Sequence, residues 1–378
     1  MRGYAVLLVF LVHHHTLFGD LLPRSGLLYP ISGFGHDIGH SGVDLFFVLS
    51  GFLIYGHLLR RCPPYFCYLR KRIRRLYPAF LLIFGIYVVA SICIPFFSKL
   101  PHEAGAAGLY LLANALFLPG IFPIEPLITV TWSLSYEFLF YLAIPLLIGA
   151  LALRRRPAPF RTALFTALLV GDCVGCYFGM PHPRMGLFAA GILAYEATAS
   201  AAVREKLSAG GESIAIGAYA ALLLALVLFE WSTTHFAFHP HFPNRQSPFW
   251  TLFLSVGLFG LTVYATSFDG ISRAFFSARP LRWLGNMSYT YFLSHGMILN
   301  GIWFLLRPVF RPGSFSPLAF TVLLVMNLGL TLVASLVFFV LVERRFSLTR
   351  HRLAGLRAAE WAARDSRVAI SAGAGQPD

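Results

Sequence analysis

Arg2 and His13 lie eleven residues apart in the first apolar segment, Tyr4 to Phe18. A helix turns about 100° per residue, so eleven steps return to within roughly 20° of the same direction and rise about 16 Å. Both side chains then share one face, and the spacing predicts Arg2 at a membrane edge and His13 in its interior. A neutral imidazole at that depth can take a proton from a hydroxyl as a general base, or carry an acyl group as a nucleophile. The bland alternative is a hydrogen-bonded core histidine; the face shared with an arginine weighs against it, because ionisable groups inside a membrane are costly. His14 and His15 point about 100° and 200° away, toward packing or rim positions.

Other residues suit parts of the same chemistry. Arg72 and Arg75 belong to the run Arg70-Lys71-Arg72-Ile73-Arg74-Arg75 and share a face if the next helix begins early. Two guanidiniums so placed can grip phosphate bidentately, although cytoplasmic loops are also basic for topological reasons alone. Trp132 opens a helix as an interfacial aromatic, and Glu137 follows one turn inside. Glu137 reads as acceptor recognition, as support for the histidine, or as half of an ion pair with Arg184. Asp44 near an outer helix end can orient a sugar hydroxyl or the histidine, or simply be a helix-end charge. Ser50 lacks a G-x-S-x-G elbow and is expected to line or pack. His295, with Ser288, Tyr289 and Tyr291, is expected to form a polar wall, and Glu343 beside Arg344 a helix-end pair. His235, His239 and His241 crowd one outer loop without a carboxylate or cysteine set, so no metal site is expected.

These side chains need apolar helices to hold them. Of 378 residues, 57% are hydrophobic and 12% charged, and mean hydropathy is +0.69. Such a chain has room for about ten spans of roughly 20 residues. They are expected near 3–20, 42–59, 76–97, 133–152, 160–179, 184–203, 212–230, 248–268, 283–306 and 316–342. The fold expected is an all-α integral-membrane protein with a proline-broken, re-entrant or interfacial segment near 104–126. Residues 1–346 form the membrane domain, and 347–378 a disordered cytoplasmic tail.

A net charge of +14 reads here as orientation and not as nucleic-acid binding. With Arg2 inside, 24 of the 30 basic residues fall on the inner side, clustered at 60–75, 154–161, 204–206, 273–282 and 344–367. Both termini are then cytoplasmic. The first segment lacks a cleavage site and is expected to persist as an anchor. Cys173 and Cys176 read as small packing residues. Gly171, Gly175 and Gly179 form a stripe expected to admit a neighbouring helix. No internal repeat is evident, which weakens an inverted-repeat transporter.

Five patterns occur in order: Arg2-x10-His13; Gly42-Val43-Asp44-Leu45-Phe46-Phe47-Val48-Leu49-Ser50-Gly51-Phe52; Arg72-Ile73-Arg74-Arg75-Leu76-Tyr77-Pro78; Trp132-Ser133-Leu134-Ser135-Tyr136-Glu137; and Ser288-Tyr289-Thr290-Tyr291-Phe292-Leu293-Ser294-His295. In this register, from Arg2 to about Phe346, the chain closely resembles the membrane acyltransferase-3 family, bacterial proteins that mostly O-acylate sugars. One departure is that Arg2 follows Met1 directly, where family members usually carry several residues first. The resemblance implies about ten spans, a bacterial plasma-membrane location, and transfer of an acyl group from cytoplasmic acyl-CoA, most simply acetyl-CoA as co-substrate with no resident cofactor. The acceptor it implies is a hydroxyl of a glycan, a glycolipid or a small molecule. His13, Glu137 and Asp44 become the catalytic candidates. Arg2, Arg72 and Arg75 become donor-binding candidates, and Trp132, Ser50, Tyr291 and His295 substrate-binding ones. His15 and Asp20 also make an H-x4-D, discounted because the other motifs of glycerolipid acyltransferases are missing. A transporter or flippase with a buried charge relay is the competing class, and a succinyl or longer-chain transferase the competing chemistry.

Overall fold

A computed structural model describes residues 1–94, 98–178, 184–200, 205–206, 210–235, 247–309 and 311–348. Among these residues the regular structure is helical, with no strand beyond one isolated bridge between Pro119 and Phe122. Five helical stretches among them are long and apolar enough to cross a membrane: Arg2–Leu21, Leu28–Arg61, Tyr65–Cys93, Thr131–Ala150 and Pro317–Arg345.

The first helix, α1, covers Arg2–Phe18. The next, α2 over Leu28–Gly39, falls where the sequence reading left a loop. Its glycines explain its place. A Cβ at Gly39 would strike the carbonyl of Leu8 and the side chain of Val12, whereas one at Gly35 would make only ordinary contact with Leu11. The helix can therefore lie against α1 only with bare backbone at Gly39. It runs almost directly into α3, Ser41–Arg61, which ends at a left-handed Cys62 with φ 43°.

Helix α4, Tyr65–Cys93, begins well before the expected position 76. Pro63 and Pro64 end the preceding turn, and Pro64 caps the helix, as proline's fixed φ favours at a helix start. The basic run 70–75 is thus helical, which places Arg72 and Arg75 one turn apart. Next comes α5, Ala104–Ala115, at 12 residues too short to span. The irregular stretch after it is tied down from within: the Asn114 side chain accepts from Leu127 N at 2.7 Å, and Lys99 Nζ donates to the Pro126 carbonyl at 3.1 Å. Helices α6 (Thr131–Ala150), α7 (Ala158–Tyr177), α8 (Gly186–Ala199), α9 (Gly210–His235) and α10 (Ser247–Ser267) follow. Two short helices, α11 (Ile271–Ser277) and α12 (Arg279–Asn286), precede α13 (Ser288–Leu306) and α14 (Pro317–Phe338). The last described turns, Phe339–Leu348, widen into a π-helix.

The tightest helix contact joins α3 and α8. A Cβ at Gly51 would meet the Phe188 carbonyl, and one at Gly191 the Val48 carbonyl, so the two backbones touch through reciprocal glycines. Gly171 of the expected small-residue stripe has nothing within 4 Å. Gly171 is exposed, and Gly179 lies outside the described residues.

The start of α1 is enclosed by other helices. A Cβ on Gly3 would collide with the Leu281 carbonyl of α12, and one on Gly42 with the Ala5 carbonyl. Arg2, the first residue of α1, lines a cleft shared with Ser50 of α3. The short helices α11 and α12 occupy the space beneath it, where Tyr4 packs edge-on against Phe275 and Phe276 at 6.0 and 5.7 Å.

Candidate active site

The charged side chains gather at two levels of α1. At the lower level a cleft is lined by Arg2, Ser50, Arg75, Glu137, Tyr141 and Tyr289 among others. Five helices deliver them: α1 and α13 bring Arg2 and Tyr289 from their first turns, while Ser50 lies nine residues inside α3, Arg75 ten inside α4 and Glu137 six inside α6. Glu137 Oε1 accepts from Ser50 Oγ at 2.8 Å and from the Tyr141 hydroxyl. Arg72, one turn before Arg75, is half-buried, its guanidinium 5.2 Å from the Tyr68 ring and 5.3 Å from the Tyr141 ring. Tyr289 donates to the Leu76 carbonyl at 2.9 Å, fixing α13 against α4.

Glu343 is a second carboxylate here. The expectation of a helix-end pair with Arg344 gives way to a buried position, where Glu343 accepts from Thr290 and faces the charges of Arg75 and Arg2. The widened π-turn brings it inward. No sequence spacing signals this, since Glu343 meets α13 only through the register of the last helix. The charges of Glu137 and Glu343 thus act on the half-buried arginines and oppose the repulsion between them.

At the upper level His13 and His295 face each other, ring centroids 5.0 Å apart. His13 is half-buried and His295 fully buried. His295 Nδ1 donates to the Tyr291 carbonyl at 3.0 Å, which leaves its Nε2 buried with no hydrogen-bond partner among the described residues. That tautomer presents a lone pair at Nε2. The Tyr291 ring stacks on His295 at 5.5 Å, while its hydroxyl turns to Thr331 of α14 at 3.1 Å. His14, buried among Phe10, Phe18 and Phe320, has only a packing environment.

Above His13, α2 contributes side chains that reading its sequence as a loop conceals. His15 Nδ1 lies 2.9 Å from Ser32 Oγ, and His36 stands 5.3 Å from the His15 ring and 4.9 Å from the His40 ring. His36 Nδ1 also meets Asp37 at 3.0 Å. Asp44 takes a different partner from either expected. Arg184 Nε reaches its Oδ1 at 3.3 Å and lies over the Trp132 ring at 5.2 Å. Arg184 is therefore not the partner of Glu137, which lies deeper along α6, and Trp132 covers an ion pair. His239 and His241 lie outside the described residues, as does the tail from 349.

The arrangement brings Arg2, Ser50, Arg75 and Glu137 into one cleft, and His13 and His295 into one pair. Asp44 and Trp132 form a third group with Arg184. Helix α1 joins the first two groups. Residues 1–338 match the Acyl_transf_3 family, described as an acyltransferase domain. The chain belongs to this acyltransferase-3 family. It is 27% identical over 293 residues to the O-acetyltransferase OatA of Staphylococcus aureus, covering 69% of this chain and 46% of that protein. It is 31% identical over 148 residues to the exopolysaccharide production protein ExoZ of Rhizobium meliloti, 38% of this chain and 44% of the relative. It is 30% identical over 153 residues to the acyltransferase MdmB of Streptomyces mycarofaciens, 39% and 37% of the two chains. The matched part spans less than half the length of each of these relatives. No solved structure matches the chain.

Proposed function

We propose that this protein is an integral-membrane O-acyltransferase that moves an acetyl group from cytoplasmic acetyl-CoA to a hydroxyl of a glycan, a glycolipid or a small molecule. The observation that carries the reading is the division of labour along α1. A cleft lined by two half-buried arginines lies at one level, and a histidine pair at the next, about 16 Å away. An anionic thioester donor suits the first, and proton transfer from a hydroxyl suits the second. The family relatives support the acyl chemistry, since OatA and MdmB carry it in their names.

In this reading Arg72 and Arg75 hold the donor from the cytoplasmic side, with Arg2 deeper on the same path. His13 takes the hydroxyl proton, the acceptor oxygen attacks the thioester carbonyl, and the C–S bond breaks. The thiolate of coenzyme A leaves, and the proton held by His13 ends on that sulfur. A covalent variant would place the acyl group first on the imidazole. Glu137 acts on the donor side, holding the arginines and Ser50 in place, and Asp44 with Trp132 borders the acceptor path. About ten spans, cytoplasmic termini and a bacterial plasma membrane complete the proposal.

The test is transfer of label from radiolabelled acetyl-CoA by purified protein in detergent, supplied with hydroxyl acceptors such as oligosaccharides. Acetyl-CoA consumption and an ester-linked product are expected. Solute counterflow in vesicles without any acyl-CoA consumption would replace this reading with a transporter.

A further inference from the structure

The cleft around Arg2 and Glu137 holds only about 40 Å³, little more than one water's share of liquid volume. A slender arm can thread it, but a nucleotide cannot lodge there. A second cavity, of about 390 Å³, opens at the far end of α3 and falls within the usual range of small-ligand sites, about 300–1,000 Å³. Its walls include Phe52, His57, Arg60, Arg61 and Tyr195. We propose that this cavity receives the nucleotide end of the acyl donor, a purine nucleoside bearing phosphate groups. The inference rests on the acyl-CoA reading above and adds to it a place for the part of the donor that does not react.

Aromatic and cationic groups are combined as such a ligand requires. Phe52 and Tyr195 meet edge-to-face at 5.9 Å, presenting ring surface on which a base can stack. Gly56 is needed for this, because any Cβ there would strike the Tyr195 ring. Arg60 is already oriented, its Nε donating to the Tyr195 hydroxyl at 2.9 Å with the guanidinium 5.2 Å from that ring. Among the described residues neither Arg60 nor Arg61 is in an ion pair. The adjacent Glu196 does not neutralise them, being occupied by Arg161 at 2.7 and 2.8 Å and by the Tyr55 hydroxyl at 2.6 Å. Guanidiniums left without acids at a cavity's rim suit phosphate oxygens.

The cavity and the cleft lie along the same helix. Arg72, Arg61 and Lys71 act electrostatically on His57 of the cavity wall, and Arg72 lies over the ring of Tyr141, which lines the cleft. Ser50 and His57 are seven residues apart on α3, two turns and about 10 Å along one face. Arg61 is about 16 Å from Ser50 by the same rise. An extended pantetheine arm covers that distance, so a phosphate at Arg60 and Arg61 lets the arm enter the cleft beside Ser50.

The measurement is calorimetric binding of coenzyme A, 3′-dephospho-coenzyme A and pantetheine to the full chain in phosphatidylcholine nanodiscs. Wild type is expected to bind coenzyme A more tightly than pantetheine. Arg61→Ala and Arg60→Ala should each weaken coenzyme A by about 10- to 100-fold, the loss of one hydrogen bond to a charged group, with pantetheine unchanged. Arg61→Lys should recover part of the loss, and thermal melting of each variant certifies its fold. Coenzyme A binding equal to wild type in folded Arg61→Ala and Arg60→Ala overturns the site, as does equal weakening of coenzyme A and pantetheine. Loss of coenzyme A preference on moving wild type into phosphatidylglycerol nanodiscs would mean that a lipid headgroup owns the cavity, and would overturn it too. Wild type that binds no coenzyme A at all fails at the prior step, the acyl-CoA reading itself.

Discussion

His13 and His14 are adjacent in sequence and opposite in surroundings, which makes them a matched pair for experiment. His13 meets His295 across 5.0 Å, whereas His14 meets three phenylalanine rings. Removing a positioned general base typically costs about 10² to 10⁴ in rate. His13→Ala is therefore expected to lose that much turnover from radiolabelled acetyl-CoA while keeping its melting temperature. His14→Ala is expected to keep most of its rate and to melt earlier, because it leaves a cavity among Phe10, Phe18 and Phe320. Near-wild-type transfer by folded His13→Ala would remove His13 from the mechanism. On the donor side, Arg75→Ala should weaken coenzyme A binding by about 1.5–3 kcal/mol, the range for hydrogen bonds to charged groups, and Arg75→Lys should recover charge without the fork. Equal affinity in wild type and Arg75→Ala would exclude it from the donor site.

At the scale of helices, the reciprocal glycines Gly51 and Gly191 set the spacing of α3 and α8. Overpacking a close contact costs about 1–3 kcal/mol, so Gly191→Ala is expected to lower the thermal midpoint of the purified protein. Gly171→Ala, facing open space, should not lower it, and matching melts for the two variants would refute the contact. This contrast also marks what the sequence made legible. Apolar runs revealed that helices exist, and motif order revealed that Arg2, Ser50, Arg75, Glu137 and His295 belong to one bundle. Spacing along one helix could not show which glycine stripe meets a backbone, because that depends on a partner far away in the chain. The same reason hid Glu343, which reaches the arginines through a π-turn, and α2, whose Gly33, Gly35 and Gly39 read as loop residues until α1 is seen beneath them. Arg184 was weighed as a partner for Glu137 and belongs instead to Asp44, because the two acids occupy different depths.

For the molecule as a whole, the 24-to-6 division of basic residues predicts an orientation that single cysteines can test in intact cells. A cysteine at position 155 should resist an impermeant thiol reagent, and one at position 313 should react. Labelling at 155 would invert the arrangement around α5 and require that short helix to cross. The enclosure of Arg2 has a consequence for how the protein is made. Helix α1 emerges first from the ribosome, yet the walls that shelter its arginine come from α3, α4, α6 and α13, and the carboxylate of Glu343 comes later still. A span that carries an arginine at its start and three histidines along its length holds polar groups that lipid does not satisfy, so α1 is expected to settle only once those walls have formed. Nascent chains that stop before Ser288 are expected to be degraded quickly in pulse-chase labelling, while chains reaching Leu348 persist. The first helix synthesised is, in this sense, among the last to come to rest.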